Sequence, residues 1–228
     1  MTTMTWERDA PLADRTEAGR RLAERLERYR SADPIVLGIP RGGVVVAAPI
    51  AAAFGAELDV LLVRKVGAPS EPEYGLGAVA EDGIVALDER RAQEAGYRLQ
   101  DLAPIVRREQ QELASRALRF RGDRPPLELR GRSVIIVDDG VATGGTVEAA
   151  VTVARARGAG RIVVALGVAP PEAVHRLRQL ADDVVVLLVP VQFAAVGEWF
   201  GSFEPVDDAE VVRLLGEARA RRPTAAAS

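Results

Sequence analysis

The chain has 228 residues, enough for one domain or one domain with an elaboration, and no low-complexity linker or internal repeat divides it. Hydrophobic residues at 48% exclude a disordered chain, and the absence of cysteine excludes disulfides, iron–sulfur clusters, thiolate zinc sites and cysteine nucleophiles. A net charge of −3 gives no global field to attract nucleic acid, and the single histidine, His175, excludes a multi-histidine metal site.

Residues 1–15 carry no apolar run long enough for a signal peptide or a membrane span, so the expected location is cytoplasmic. Asp14 followed by Glu17 forms a capping-box pattern. Ala18, Leu22, Leu26 and Tyr29 then recur at helical spacing, which predicts an amphipathic helix over 15–30. Strand 35–39, helix 44–54 and strand 59–64 follow. After a loop rich in Gly and Pro come strands near 76–81 and 84–87, then a long helix over 102–120. The remainder alternates regularly: strand 133–137, helix 146–157, strand 161–166, helix 171–180 and strand 184–189. Strands apolar on both faces and separated by helices predict an α/β fold, a doubly wound, mostly parallel sheet covered by helices on both faces. Ligands of such sheets sit beyond the carboxyl ends of the strands, so functional residues belong in the loops that follow them. Around His175, Val174, Leu177 and Leu180 recur at helical spacing, which turns the imidazole away from the core. Residues 221–228 read as a frayed tail.

Charge is uneven along the chain. Eight arginines fall between Arg107 and Arg132, a local surplus that suits either phosphate contact or a solvated helix face of mixed ion pairs. Lys65 is the chain's single lysine, which hints that a compact point charge is wanted there.

One segment is far from generic. Val134-Ile135-Ile136-Val137-Asp138-Asp139-Gly140-Val141-Ala142-Thr143-Gly144-Gly145-Thr146 is a buried strand that ends in two carboxylates and runs through small residues into a helix. Glycines admit close backbone approach. The first N–H groups of the helix, with the hydroxyls of Thr143 and Thr146, make a cradle for a phosphate. Asp138 and Asp139, one short loop away, can accept hydrogen bonds from a vicinal diol or hold Mg²⁺ directly or through water. Phosphate and diol together suggest a ribose 5-phosphate.

This segment resembles the phosphoribosyl pyrophosphate (PRPP) motif of the type I phosphoribosyltransferases: four apolar residues, two acids and a loop ending Ala-Thr-Gly-Gly-Thr. The resemblance implies that Asp138, Asp139, Ala142, Thr143, Gly144, Gly145 and Thr146 bind PRPP, with Asp138 and Asp139 also serving the metal. It extends to Pro40-Arg41-Gly42-Gly43 as the pyrophosphate loop, where the peptide before the second residue is often cis. Gly42 and Gly43 then join the PRPP contacts. Arg64-Lys65 matches the basic pair before a mobile lid, here residues 66–76. Pro190 to Phe203 gathers four of the ten aromatic residues and stands where the family has a variable hood, over 190–205. Phe193, Trp199 or Phe200 would stack on the acceptor base there, or else fill core under the final helix. The run Gly77-Ala78-Val79-Ala80-Glu81-Asp82-Gly83 is similar to a group of stand-alone microbial members.

By this resemblance the chain is one phosphoribosyltransferase domain over 1–228. It would displace pyrophosphate from C1 of PRPP with a ring nitrogen of a base, using Mg²⁺ together with Arg41, Arg64 and Lys65 at the leaving group. Members that use 6-oxopurines carry an aspartate where this chain has Ala142, which disfavours hypoxanthine or guanine. In adenine-type members a lid acid is implicated instead, and Glu71 and Glu73 are the candidates here. The competing class is a sensor of PRPP or a nucleotide without catalysis. The expected partners are small molecules, with no membrane and no nucleic acid, and a homodimer is common among relatives.

Overall fold

A computed structural model describes residues 11–72 and 74–221. Helix α1 (Arg15–Arg25) is capped by Asp14, whose carboxylate accepts from the Glu17 N–H, and it gives way to a 3₁₀ segment, Glu27–Ala32. The predicted single helix over 15–30 thus tightens in its last turn. Strand β1 (Ile35–Gly38) leads to α2 (Gly42–Phe54) and β2 (Glu57–Val60).

Here the structure corrects the sequence reading, which joined 59–64 into one strand. The chain leaves the main sheet after Val60, crosses through buried Leu61 and Leu62, and starts β3 (Val63–Gly67) in a different sheet. An unbroken apolar run hides such a crossing because both residues at the bend are buried. Strands β4 (Gly75–Ala80) and β5 (Val85–Leu87) complete this antiparallel ribbon, ordered β3-β4-β5. The short helix α3 (Glu89–Glu94), which no sequence signal announced, and the long α4 (Ala103–Arg121) return the chain to the main sheet.

Strand β6 (Ser133–Gly140), helix α5 (Gly145–Ala156), strand β7 (Arg161–Val168), helix α6 (Pro171–Arg178) and strand β8 (Asp183–Leu188) build the second half, and α7 (Asp208–Arg221) closes it. Arg221 therefore belongs to a helix, and the rest of the expected tail lies outside the described residues.

The main sheet is fully parallel in the order β2-β1-β6-β7-β8. Alternate residues of each strand enter cores on opposite faces. Val36, Ile135 and Val163 pack under α1, α2 and α7, whereas Leu37, Ile136 and Val164 pack under α5 and α6. Chain order reverses between β1 and β6, whose register pairs Gly38 with Val137, so the crevice expected of a doubly wound sheet opens above these two strands. His175 is exposed on α6, as predicted, with Gln179 beside its ring.

The ribbon is anchored at its base by charge. Arg121 at the end of α4 donates to both carboxylate oxygens of Asp59 at 2.7 and 2.9 Å, to both of Glu81, and to the Val60 carbonyl at 2.8 Å. Arg157 reaches Asp82 at 2.9 Å. The side chains of Arg121, Asp59 and Glu81 are all nearly inaccessible to water. Burial alone would lower the pKa of Arg121, but the hydrogen bonds and charges of Glu81 and Asp59 keep it above its ordinary value. So Glu81 of the run at 77–83 is an internal ion-pair partner and Asp82 an exposed one, and one member of the arginine surplus is core rather than solvated face.

Candidate functional site

The crevice is floored by two strand-to-helix turns. After β1, the Pro40–Arg41 peptide is cis, as the resemblance implied. A Cβ on Gly42 would lie 2.0 Å from Asp139 Oδ2, and one on Gly43 would lie 2.5 Å from the Val137 carbonyl and 2.9 Å from Asp138 Oδ1. Neither glycine has positive φ. They are needed because this turn packs directly on the strand that carries the two acids.

The acids differ in their surroundings. Asp138 accepts from the Asp139 N–H at 3.0 Å, and burial, then the neighbouring Asp139 charge, pushes its carboxyl well above the usual carboxylate range. Asp139 is bound by Arg15, whose Nε donates to Oδ2 at 2.7 Å. The same guanidinium donates to the Glu204 carbonyl at 2.8 Å and lies 3.7 Å from the centre of the Phe203 ring. Sequence reasoning missed Arg15, because nothing around the start of α1 signals a contact 124 residues away.

After β6 the chain turns through Gly144, whose φ of +81° is the left-handed conformation that glycine adopts without penalty, and enters α5. Thr143 and Thr146 are exposed here. Arg176 of α6, also missed, steadies the loop by donating to the Thr143 carbonyl at 2.5 Å and to Glu148 at 3.1 Å. Lys65 lies alongside, since a Cβ on Gly145 would stand 3.5 Å from its Cδ and 3.9 Å from its Nζ.

A cavity of about 690 Å³ joins these parts. Thr143, Gly145 and Thr146 form one end, Pro40 and the basic pair Arg64 and Lys65 the middle. Gly67, Ala68, Pro69 and Pro72 roof it. Of the segment expected as a lid, 66–76, β3 and β4 take up the two ends and leave 68–74 between them. It closes as a turn, Ala68 N–H to Tyr74 carbonyl at 2.9 Å, with Ser70 bound to the Tyr97 hydroxyl. The remaining wall is α4, through Ile105, Arg108, Glu109 and Arg116. This wall was legible only as an arginine surplus.

Other expected residues fall elsewhere. Arg41 does not line the cavity; its guanidinium faces Asp208 of α7 at 3.7 Å. Glu71 is exposed on the turn after β3 and is not part of the lining, and Glu73 lies outside the described residues. Asp138, Asp139, Ala142 and Gly144 are not among the residues that line the cavity. Beyond β8, Phe200 is a core residue, 6% exposed, with its ring 5.1 Å from that of Phe203 and against Gly167. Its assignment to stacking is corrected accordingly: the segment 199–202 is stitched to residues 12–13 by three backbone hydrogen bonds, which draws this ring inward. Phe193 and Trp199 are only partly buried, and the Trp199 Nε1 donor is buried without a partner.

Among the described residues no group of three or more Asp, Glu or His side chains converges to hold a metal unaided. Two adjacent carboxylates, one with a raised pKa, do fit Mg²⁺ delivered with a phosphorylated ligand, since that ion takes one or two protein carboxylates and completes its shell with phosphate oxygens and water. No helix among the described residues is long and apolar enough to cross a membrane.

Comparison with known proteins agrees with this geometry. A family model described as phosphoribosyl transferase domain matches residues 12–198. Two curated Mycobacterium tuberculosis proteins provisionally named phosphoribosyl transferases, MT0597 of strain CDC 1551 and Rv0571c of strain H37Rv, are each 44% identical over 205 residues, 90% of this chain and 46% of theirs. The chain thus spans less than half the length of these relatives. The crystal structure of TT1426 from Thermus thermophilus matches with a TM-score of 0.85 at 48% identity, covering 91% of this chain and 98% of that one.

Proposed function

Because the chain belongs to the phosphoribosyl transferase domain family, we propose that it is an Mg²⁺-dependent enzyme that moves the ribose 5-phosphate of PRPP onto a ring nitrogen of a nucleobase-like acceptor and releases pyrophosphate. The observation that carries this reading is the continuous cavity of about 690 Å³ running from the α5 phosphate cradle to the basic pair beneath the lid. A sensor needs neither a lid nor cations at a leaving group, which favours catalysis.

The backbone from Ala142 to Thr146 receives the 5-phosphate at the positive end of α5. Asp138 and Asp139 accept from the ribose hydroxyls and would be the residues that hold the metal. Bound Mg²⁺ supplies charge neutralisation at the diphosphate. Arg64 and Lys65 face the same end of the donor, joined by Arg41 once it leaves Asp208, while Gly42 and Gly43 keep that turn close to the acids. Gripping the donor at both ends presents C1 to the acceptor. The C1–O bond breaks with its electron pair going to pyrophosphate, a C1–N bond forms on the opposite face, and the acceptor's N–H proton leaves to a base. By resemblance that base is Glu71 or Glu73, and Glu109 is the carboxylate already in the cavity wall. The lid excludes water that would otherwise hydrolyse the donor. For the acceptor, Phe193 and Trp199 are the hood contacts we retain, Trp199 because its orphaned N–H seeks a partner.

PRPP with Mg²⁺ at a hundred times its Kd should stabilise the fold by about 2.7 kcal/mol. That raises Tm by about 5–11 °C in a chain of this size, and Asp138→Ala with Asp139→Ala should abolish the rise. No shift in the unaltered protein at millimolar PRPP refutes the donor site. A panel of purine and pyrimidine bases should release pyrophosphate with at least one. Binding without turnover across the panel transfers the assignment to the sensor.

A further inference from the structure

Arg116 stands out among the cavity's side chains. It lies in the fourth turn of α4, half-buried, and lines the cavity. Its neighbours are handled differently. Arg64 is shared between Glu109 and Glu112, Arg108 is held by Glu109, and Arg41 and Arg119 both turn to Asp208. Arg116 has no ion pair or hydrogen bond among the described residues, and its one close partner is the ring of Phe120, whose centre is 5.9 Å away. Burial, then the like charges of Arg64, Arg41 and Arg119 against Asp208 alone, holds it below the ordinary arginine range. A guanidinium is planar, always charged and forked, so leaving one half-buried among like charges is unfavourable unless an anion completes the site.

We infer that Arg116 is a binding residue for the doubly phosphorylated end of the donor, and that α4 supplies a wall of that site which selects a diphosphate over a monophosphate. The inference rests on the proposed function and extends it to α4, whose arginine surplus the sequence left open between phosphate contact and a solvated face. Arg64, Lys65, Arg108 and Arg116 line one cavity, and Glu109 is the carboxylate among the described residues of that lining. A monophosphate offers oxygens on one phosphorus centre with about −1.5 to −2 charge near neutral pH, whereas a diphosphate offers oxygens on two phosphorus centres and more charge to offset the cluster. Release of Arg41 from Asp208 toward the same ligand would then close the cluster.

The test is titration calorimetry on the full chain with inorganic pyrophosphate, inorganic phosphate and ribose 5-phosphate as separate probes. The unaltered protein should bind pyrophosphate at least tenfold more tightly than phosphate. Arg116→Gln should weaken pyrophosphate at least about tenfold, the scale of lost charge-assisted hydrogen bonds, and leave ribose 5-phosphate unchanged. Arg107→Gln, on the exposed side of the same helix, should leave all three unchanged. Pyrophosphate binding that survives Arg116→Gln overturns the inference. So does an unaltered protein that binds ribose 5-phosphate but does not prefer pyrophosphate, an outcome in which the phosphate cradle stands and only the α4 wall fails. Binding of neither ribose 5-phosphate nor pyrophosphate refutes the parent reading and the inference with it. If Arg116→Gln does not fold, Arg116→Lys decides: weaker pyrophosphate binding supports the fork, and unchanged binding overturns it.

Discussion

Arg121→Met is expected to be among the most damaging single changes outside the cavity. The arginine and its partners Asp59 and Glu81 are each at most 6% exposed, so water cannot replace the lost guanidinium. Methionine fills much of the volume but leaves two buried carboxylates, with Arg157, 3.8 Å from Glu81, as the remaining nearby cation. Removing one partner of a buried ion pair costs about 3–5 kcal/mol. In a chain of 228 residues each kcal/mol is worth about 2–4 °C, so Tm should fall by about 6–20 °C. The expected cause is the stranded charge rather than lost packing. Adding Asp59→Asn and Glu81→Gln to Arg121→Met should therefore recover most of the loss. Differential scanning calorimetry of the three proteins at neutral pH decides the matter. A single variant within 1–2 °C of the parent would refute the reasoning, and so would a triple variant no better than the single one.

Further outcomes follow from the same geometry. Asp138→Asn should raise the Tm of the ligand-free protein by a few degrees at pH 7–8 while weakening PRPP binding. A carboxyl whose pKa rises on folding costs stability in full above its folded pKa, and the penalty fades as pH falls from there toward the unfolded value, so the gain should shrink in acid. Asp183 has the opposite sign. Burial pushes it up, but hydrogen bonds from Tyr29, the Val184 N–H and Arg28 outweigh burial and depress it. Its contribution is then present above the unfolded value of about 3.9 and lost below the folded one, so Asp183→Asn should destabilise at pH 7 and make little difference near pH 2 in thermal melts. Gly43→Ala should destabilise the protein and abolish PRPP binding, because its Cβ would fall 2.5 Å from the Val137 carbonyl. Gly145→Ala, whose Cβ meets Lys65 at an ordinary 3.5 Å, should fold with an unchanged Tm. Glu109→Gln should lower turnover if the cavity-wall carboxylate takes the acceptor proton, and leave it unchanged if a lid acid does so, as read by pyrophosphate release.

Much of this molecule is legible in its sequence. Alternating apolar strands and helices determined the doubly wound sheet, because a strand buried on both faces has to be apolar throughout. The stretch from Val134 to Thr146 marked the strand-to-helix turn proposed as the phosphate cradle, because a strand, two acids and a glycine turn are contiguous and act through local backbone geometry. Contacts between distant segments were not legible. The crossing at Leu61 and Leu62 hid inside one apolar run, and Arg15 meets Asp139 only because α1 packs beside the crevice. Arg116 and Arg121 belong to the same helix and look alike in sequence, yet one lines a cavity and the other is locked to Asp59 and Glu81. Sequence periodicity reports which side of a helix is apolar; which charges meet across the core is set by how elements far apart in the chain are brought together, and the tertiary structure alone decided that.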